Sequence, residues 1–344
     1  AKRIFEALLW QALRDRGELT VDVAFVVEGE EESGLSLQQR GFTEVVETNK
    51  HWFNHCKAII ISNNYWIDED SPCLTYGMRG VIDAELWVSG PNKDLHSGVD
   101  GGAVHEPMSD LTAVLASFHA PDGTVAIPGF YAGVQKPSAD EAARTAAVDL
   151  NVDRYCEALG VSKVSSDQGD KVLAARWSEP WVSVSSIEST NKARVFRKIP
   201  KAVVGRVSIH FVPDQKAEDL EAAFRTHTQR VFAARDSGNA LKVVVKQTSG
   251  WWLGDVKHRI FRLAAKAVED VWGQEPLMVR EGGSYGGVTT FLENVLGAPA
   301  LHLPMGQSSD NAHLPNERIR MHNLLQGRLV MENLLRRLGE CNET

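Results

Sequence analysis

Residues 81–88, VIDAELWV, alternate between apolar and polar side chains over most of their length. Successive side chains of a strand point to opposite faces, so the pattern predicts an antiparallel strand with one face buried and one wet. Residues 203–211, VVGRVSIHF, repeat it, and residues 241–246, LKVVVK, make a shorter candidate. Helical spacing over residues 107–118 and 217–235 falls between these runs. This grouping predicts an α+β unit with helices on one side of an antiparallel sheet. The polar, alanine-rich stretch 138–169 is expected to hold one or two surface helices of the same unit.

On either side the pattern changes. Residues 21–27 (VDVAFVV) and 58–62 (AIIIS) are short, β-branched and apolar, which reads as buried strand. Residues 35–48 carry a helical pattern. Residues 2–16 carry an amphipathic one, with Ile4, Leu8, Leu9 and Leu13 on one face. Beyond the middle, residues 255–272 predict an amphipathic helix, 277–280 and 300–304 short strands, and 317–338 a long closing helix. Strands alternating with helices imply a largely parallel sheet covered on both faces. The expected architecture is α/β: a three-layer domain made of residues 1–80 and 250–344, split by an inserted α+β domain of residues 81–249.

The 344 residues are 43% hydrophobic and 24% charged, which excludes a disordered chain. A formal net charge of -8 argues against nucleic acid or an anionic membrane as partner. No apolar run approaches the roughly 18 residues of a membrane span. Cys56, Cys73, Cys156 and Cys341 form no C-x-x-C pair and are too few for a disulfide scaffold. They read as reduced thiols of a cytoplasmic protein. The chain opens on Ala1 rather than methionine, so it is expected to be part of something longer.

Three polar clusters follow predicted strands. The sharpest is EGEEESG, residues 28–34, in which four carboxylates crowd together. A solvated turn tolerates that repulsion in water at small cost. The alternative is a cation site, because open α/β sheets bind ligands at the carboxyl ends of their strands. SNNYW (62–66) and SDNAH (309–313) also follow strands, and convergence of the three would make a metal site. REGGS (280–284) offers two glycines for close backbone approach, but it is neither a P-loop nor a dinucleotide fingerprint. His96-Ser97-Gly98, followed by Gly101-Gly102 and Glu106-Pro107-Met108, reads as a shaped turn and helix cap.

Taken in order, EGEEESG, SNNYW, CLTYGMRG, DLHSGVDGGAVHEPM, IPGFY, REGGS and DNAHLPNE resemble the carnosinase and Cys-Gly dipeptidase branch of the aminoacylase-type (carboxypeptidase G-like) dinuclear metallopeptidases. The resemblance covers residues 5–338. It implies a split α/β catalytic domain carrying an inserted lid and dimerisation domain, hence a homodimer. It implies up to two Zn²⁺ or Mn²⁺ ions bridged by an aspartate and a water. By the same resemblance Glu31 is the general base, and Glu32 and His313 ligate one metal. His96 reaches a neighbouring subunit's site, and Glu281, Gly282, Gly283 and Ser284 line the substrate pocket.

The chain also departs from that pattern. The family's H-x-D and D-[DN]-x-G motifs, which supply a histidine ligand and the bridging aspartate, have no match. Asn63 stands where the family has a ligating aspartate, and His210 where an arginine grips the substrate carboxylate. Tyr285-Gly286-Gly287 replaces the usual Ile-Pro. One metal site is left with Glu32 and His313, short of the three protein ligands usual for catalytic zinc. The implied function is hydrolysis of a dipeptide or small peptide of the Cys-Gly or glutathione type, impaired by missing ligands. The alternative is a non-catalytic or specialised subunit. SNNYWIDED and HLPMGQSSDNAHLPNE are similar to the peptidase-like subunit of a fungal glutathione-degrading complex, which works with an amidotransferase-type partner. A third reading is a domain used only for dimerisation.

Overall fold

The computed structural model describes residues 11, 13–28, 41–189, 196–283, 286–312 and 314–340. Their strands are β1 (Ile59–Ile61), β2 (Cys73–Met78), β3 (Gly80–Ser89), β4 (Leu95–His96), β5 (Trp181–Ser189), β6 (Lys198–Ile199), β7 (Ala202–Phe211), β8 (Ala240–Ser249), β9 (Trp252–Leu253), β10 (Leu277–Glu281) and β11 (Ala300–His302). They form a five-stranded sheet ordered β1-β11-β2-β10, with β9 paired to β2, and a four-stranded sheet ordered β5-β7-β3-β8. β4 and β6 pair separately.

The second sheet follows the alternation. β3 pairs antiparallel with β7 over its whole length, from Gly80 opposite Phe211 to Ser89 opposite Ala202. Ile82, Ala84, Leu86 and Val88 turn inward onto Leu111, Leu115 and Phe118, and onto Phe224 of the helix Ala217–Ala233. Asp83 and Glu85 turn outward. There Ser208 donates to Asp83 at 2.6 Å and Arg206 to Glu85 at 3.2 Å. β5 is an addition: its serines, WVSVSSIES, hide a half-exposed strand from an apolar-pattern reading.

Gly80 joins the two sheets. A Cβ there would lie 2.3 Å from the Phe211 ring, so the passage from β2 into β3 needs glycine. Gly80→Ala is expected to destabilise the fold by about 1–3 kcal/mol, the usual cost of overpacking, read as a lower urea midpoint.

The first sheet is mixed rather than largely parallel. β1 runs parallel to β11, and β2 parallel to β10. β11 and β9 meet β2 antiparallel. β2, CLTYGM, lies in the middle and is buried at all six positions, although Thr75, Tyr76 and Gly77 break any apolar run. Helices Arg259–Trp272 and Met321–Glu340 cover this sheet through Phe261, Ala264, Val268, Val330 and Leu334. The first of them stops at Gly273, whose φ of 72° gives the left-handed cap that favours glycine.

The expected strand at 21–27 is corrected. Residues 22–28 have no assigned secondary structure, and Phe25, Val26 and Val27 are 44%, 48% and 55% exposed. A buried parallel strand needs a ladder partner on each side, and the described residues provide none. Val21 and Val23 instead pack with Leu13 and Leu19 against Leu335 and Met331. Of the helix expected over 35–48, Gly41–Thr48 is described and helical. Of the helix expected over 2–16, residues 11 and 13–15 are helical and the rest lies outside the described residues.

The stretch 138–169 does form helices, Ala139–Ala147 and Val152–Leu159, with Gly169–Trp177 following. Ala139–Ala147 and Gly169–Trp177 pack on β10 of the first sheet. Arg280 of β10 pairs with Glu141 at 2.6 Å, and the guanidiniums of Arg144 and Arg280 lie 5.2 and 5.4 Å from the centroid of the Tyr76 ring. Val148, Leu173 and Trp177 complete a small core with Trp66, Cys73 and Val279. A segment between β3 and β5 in sequence thus walls the carboxyl end of β10.

Candidate active site

The polar segments after β1 and β11 leave the same end of the first sheet, and residues of β10, which runs the other way, meet them across a cavity. After β1, Asn64 adopts φ 68° and turns the chain. Its side-chain amide donates to His302 Nδ1 at 3.1 Å, and His302 Nε2 contacts the Thr289 hydroxyl at 2.9 Å. An NH₂ group can only donate, so His302 accepts at Nδ1 and donates from Nε2: it is neutral and structural. The turn is locked further by Trp66, whose indole donates to Pro304 O at 3.1 Å. Asn63, one residue earlier, is left exposed.

After β11, a 3-10 turn at Ser308–Asp310 is closed by a capping box between Gln307 and Asp310. Glu69 holds it from the side, accepting from Ser309 Oγ at 3.0 Å and from Arg320. Ser62 Oγ and Asp310 Oδ1 are buried there without a hydrogen-bond partner among the described residues.

Between the segments lies a cavity of about 190 Å³. Tyr65, Trp66 and Ile67 line it from the β1 side, Val279, Arg280 and Glu281 from β10, Ser308 and Ala312 from beyond β11, and Arg176 from the helix Gly169–Trp177. That volume lies below the roughly 300 Å³ where pockets for drug-sized ligands begin, so it suits a small molecule. Glu281 accepts from the Gly282 N–H at 2.7 Å. Gly282 is needed because a Cβ there would meet Arg79 Nη2 at 2.8 Å and Arg176 O at 3.1 Å. Gly283 is exposed and does not line the cavity.

Arg79 lies behind this loop. It donates to Ala175 O at 3.3 Å and Glu179 O at 3.2 Å, while its buried Nε has no partner among the described residues. Burial pushes its pKa down to about 10; Glu281 opposes that shift and Arg176 adds to it. It remains a cation at neutral pH.

His210 sits on β7 between Val81 and Trp181 in neighbouring strands, and does not line the cavity. Its Nδ1 is buried without a partner among the described residues. Burial first, and the charge of Arg79 second, push its pKa below the ordinary histidine value, so the ring is neutral at pH 7.

His96 is exposed at the start of the short helix Ser97–Asp100, away from the cavity lining. Its Nδ1 accepts from the Gly98 N–H at 3.0 Å, so the neutral ring carries its proton on Nε2. IPGFY serves packing: Ile127 and Phe130 enter the core, and the Tyr131 hydroxyl accepts from Val125 N at 3.0 Å. Burial pushes Cys73 up to about 12, so this thiol is inert at neutral pH.

Glu31, Glu32, Ser284 and His313 lie outside the described residues. Among the described ones, no three His, Cys, Asp or Glu side chains stand together as a metal site. The two oxygens without a partner among the described residues show that the region has acceptor capacity in reserve, but the described residues alone do not form a metal centre. Arg176 and Arg79 were not singled out by the sequence. Arg79 stands inside CLTYGMRG, whereas Arg176 lies in a helix with no local sign of a site. No described helix is long and apolar enough to cross a membrane.

The family profile of peptidase family M20/M25/M40 matches residues 5–337. The Cys-Gly metallodipeptidase dug1 of Schizosaccharomyces pombe is 34% identical over 312 residues, covering 90% of this chain and 64% of that protein. The probable di- and tripeptidase DUG2 of Saccharomyces cerevisiae is 31% identical over 329 residues, covering 95% of this chain and 35% of its own length. Human carnosine dipeptidase 1 superposes with a TM-score of 0.88 at 28% identity, covering 98% of this chain and 70% of that structure. This chain therefore spans about a third of the length of one curated relative and just under two thirds of the other. With the profile matched almost from end to end and the fold shared, the chain belongs to peptidase family M20/M25/M40.

Proposed function

We propose that the protein hydrolyses the peptide bond of a dipeptide or small peptide of the Cys-Gly type, with Glu31 as general base. The observation that carries this reading is the cavity at the carboxyl end of β10, sized for a small ligand and lined by Glu281. Glu31 takes a proton from the attacking water and passes it to the leaving amine. His96 Nε2–H, reaching over from the end of β4 of a second subunit, donates to the oxyanion. Glu281 and Ser284 orient the substrate.

Glu32, His313 and Asn63 are the residues that would hold Zn²⁺ or Mn²⁺, which lowers the pKa of a bound water and polarises the carbonyl. Asn63 offers a neutral amide oxygen where a carboxylate would bind a divalent cation more strongly. Occupancy is therefore expected to fall short of two metals per chain. Asn63→Asp is expected to raise bound metal, read by elemental analysis after loading with Mn²⁺ or Zn²⁺ and removing the excess. Equal metal content in both proteins removes the assignment of Asn63. The activity itself is tested with cysteinylglycine as substrate; no release of glycine by the loaded protein ends this reading.

A second reading is a specialised subunit working beside an amidotransferase-type partner in glutathione breakdown. It rests on the resemblance of SNNYWIDED and HLPMGQSSDNAHLPNE given above. Turnover of cysteinylglycine by the isolated chain counts against it.

A further inference from the structure

We propose that Arg176 is the residue that pairs with the α-carboxylate of the peptide in the cavity beside Glu281, a role that position 210 does not fill here. The proposal rests on the peptide reading above and adds a specificity residue to it.

The argument is which cation lining the cavity is uncommitted. Among the described residues, three charged side chains line it: Arg176, Arg280 and Glu281. Arg280 is committed, paired with Glu141 at 2.6 Å and held against Tyr76. Glu281 is the carboxylate that stabilises the charge of Arg79 behind the loop. Arg176 has no carboxylate partner among the described residues. Its guanidinium rests over the Tyr155 ring, 5.3 Å from the centroid, which positions the group without neutralising it.

Arg176 and Arg79 also repel one another, since the charge of Arg176 lowers the pKa of Arg79. Among the described residues, Arg176 is thus the cation of the cavity lining without a carboxylate partner. A peptide carboxylate entering the cavity can pair with it. A guanidinium meets a carboxylate with paired N–H donors, which gives geometric selection as well as energy. His210 cannot take this part, because it is off the cavity and its burial favours the neutral ring.

The test measures equilibrium binding rather than turnover. Cysteinylglycine and its C-terminal amide are titrated calorimetrically into the metal-loaded protein in a Glu31→Gln background, with and without Arg176→Met. The expected result is that the unsubstituted position prefers the acid by about 10- to 100-fold. Arg176→Met erases the preference while leaving amide affinity unchanged, which also reports an intact fold. Arg176→Lys keeps the charge without the fork and retains part of the preference. A preference that survives Arg176→Met overturns the assignment while the peptide reading stands. So does an equal loss of affinity for both compounds. No binding of either compound to the protein with Arg176 in place removes the peptide reading, and the assignment with it.

Discussion

Glu31→Gln is expected to lower kcat for cysteinylglycine by about 10²- to 10⁴-fold, the range that a positioned general base contributes. Glutamine keeps the size of the side chain and removes only its basicity, so bound metal and substrate affinity should stay near those of the unsubstituted protein. Elemental analysis and calorimetry check both. A variant that keeps its turnover would show that another group takes the proton. A variant that loses metal would show that Glu31 is a ligand rather than a base. The expectation is motivated by the Glu30-Glu31-Glu32 run that ends the apolar segment 21–27.

His96→Ala is expected to cost about 10²- to 10³-fold in kcat, as loss of one oxyanion donor does. The structure supplies the reason for the donor: Gly98 N–H occupies Nδ1, so the proton of the neutral ring is on Nε2. His96 is exposed and does not line the cavity of its own chain. It is therefore expected to act on a second copy. Mixing His96→Ala with Glu31→Gln under conditions of subunit exchange should restore about a quarter of the unsubstituted rate. Half the dimers are then mixed, and each holds one intact site. No recovery in subunits shown to exchange would place the work of His96 within its own chain, or nowhere in catalysis.

Much of the architecture is legible in residue pattern because strand alternation is a property of the strand itself. Residues 81–88 and 203–211 show their period of two, and β3 and β7 bury the side chains that the period selects. AIIIS gives β1, and the pattern over residues 255–272 gives the helix Arg259–Trp272. The order of the seven motifs is legible in the same way and leads to the family.

The pattern misleads where a strand depends on neighbours. Residues 21–27 are as apolar and β-branched as a buried strand, yet 22–27 form none and Phe25, Val26 and Val27 are exposed, because a ladder is made by two strands and the described residues place none beside them. β2 is the converse: its mixed composition conceals a strand that sits centrally because β10, β11 and β9 surround it.

The candidate site divides along the same line. Its polar motifs, the exchange of arginine for His210 and the exchange of aspartate for Asn63 can all be read from residue identity. Which cation reaches the cavity cannot. Arg176 arrives on a helix that packs on β10 beside the helix whose Glu141 pairs with Arg280, and Arg79 meets Ala175 across 96 residues of sequence. The neutrality of His210 likewise comes from burial and from Arg79, both imposed by strands and turns distant in the chain. Side-chain type and local periodicity are written residue by residue. Burial, ladder partners and the balance of charge in a cavity exist only once remote segments are packed together, and these decide what the site can bind.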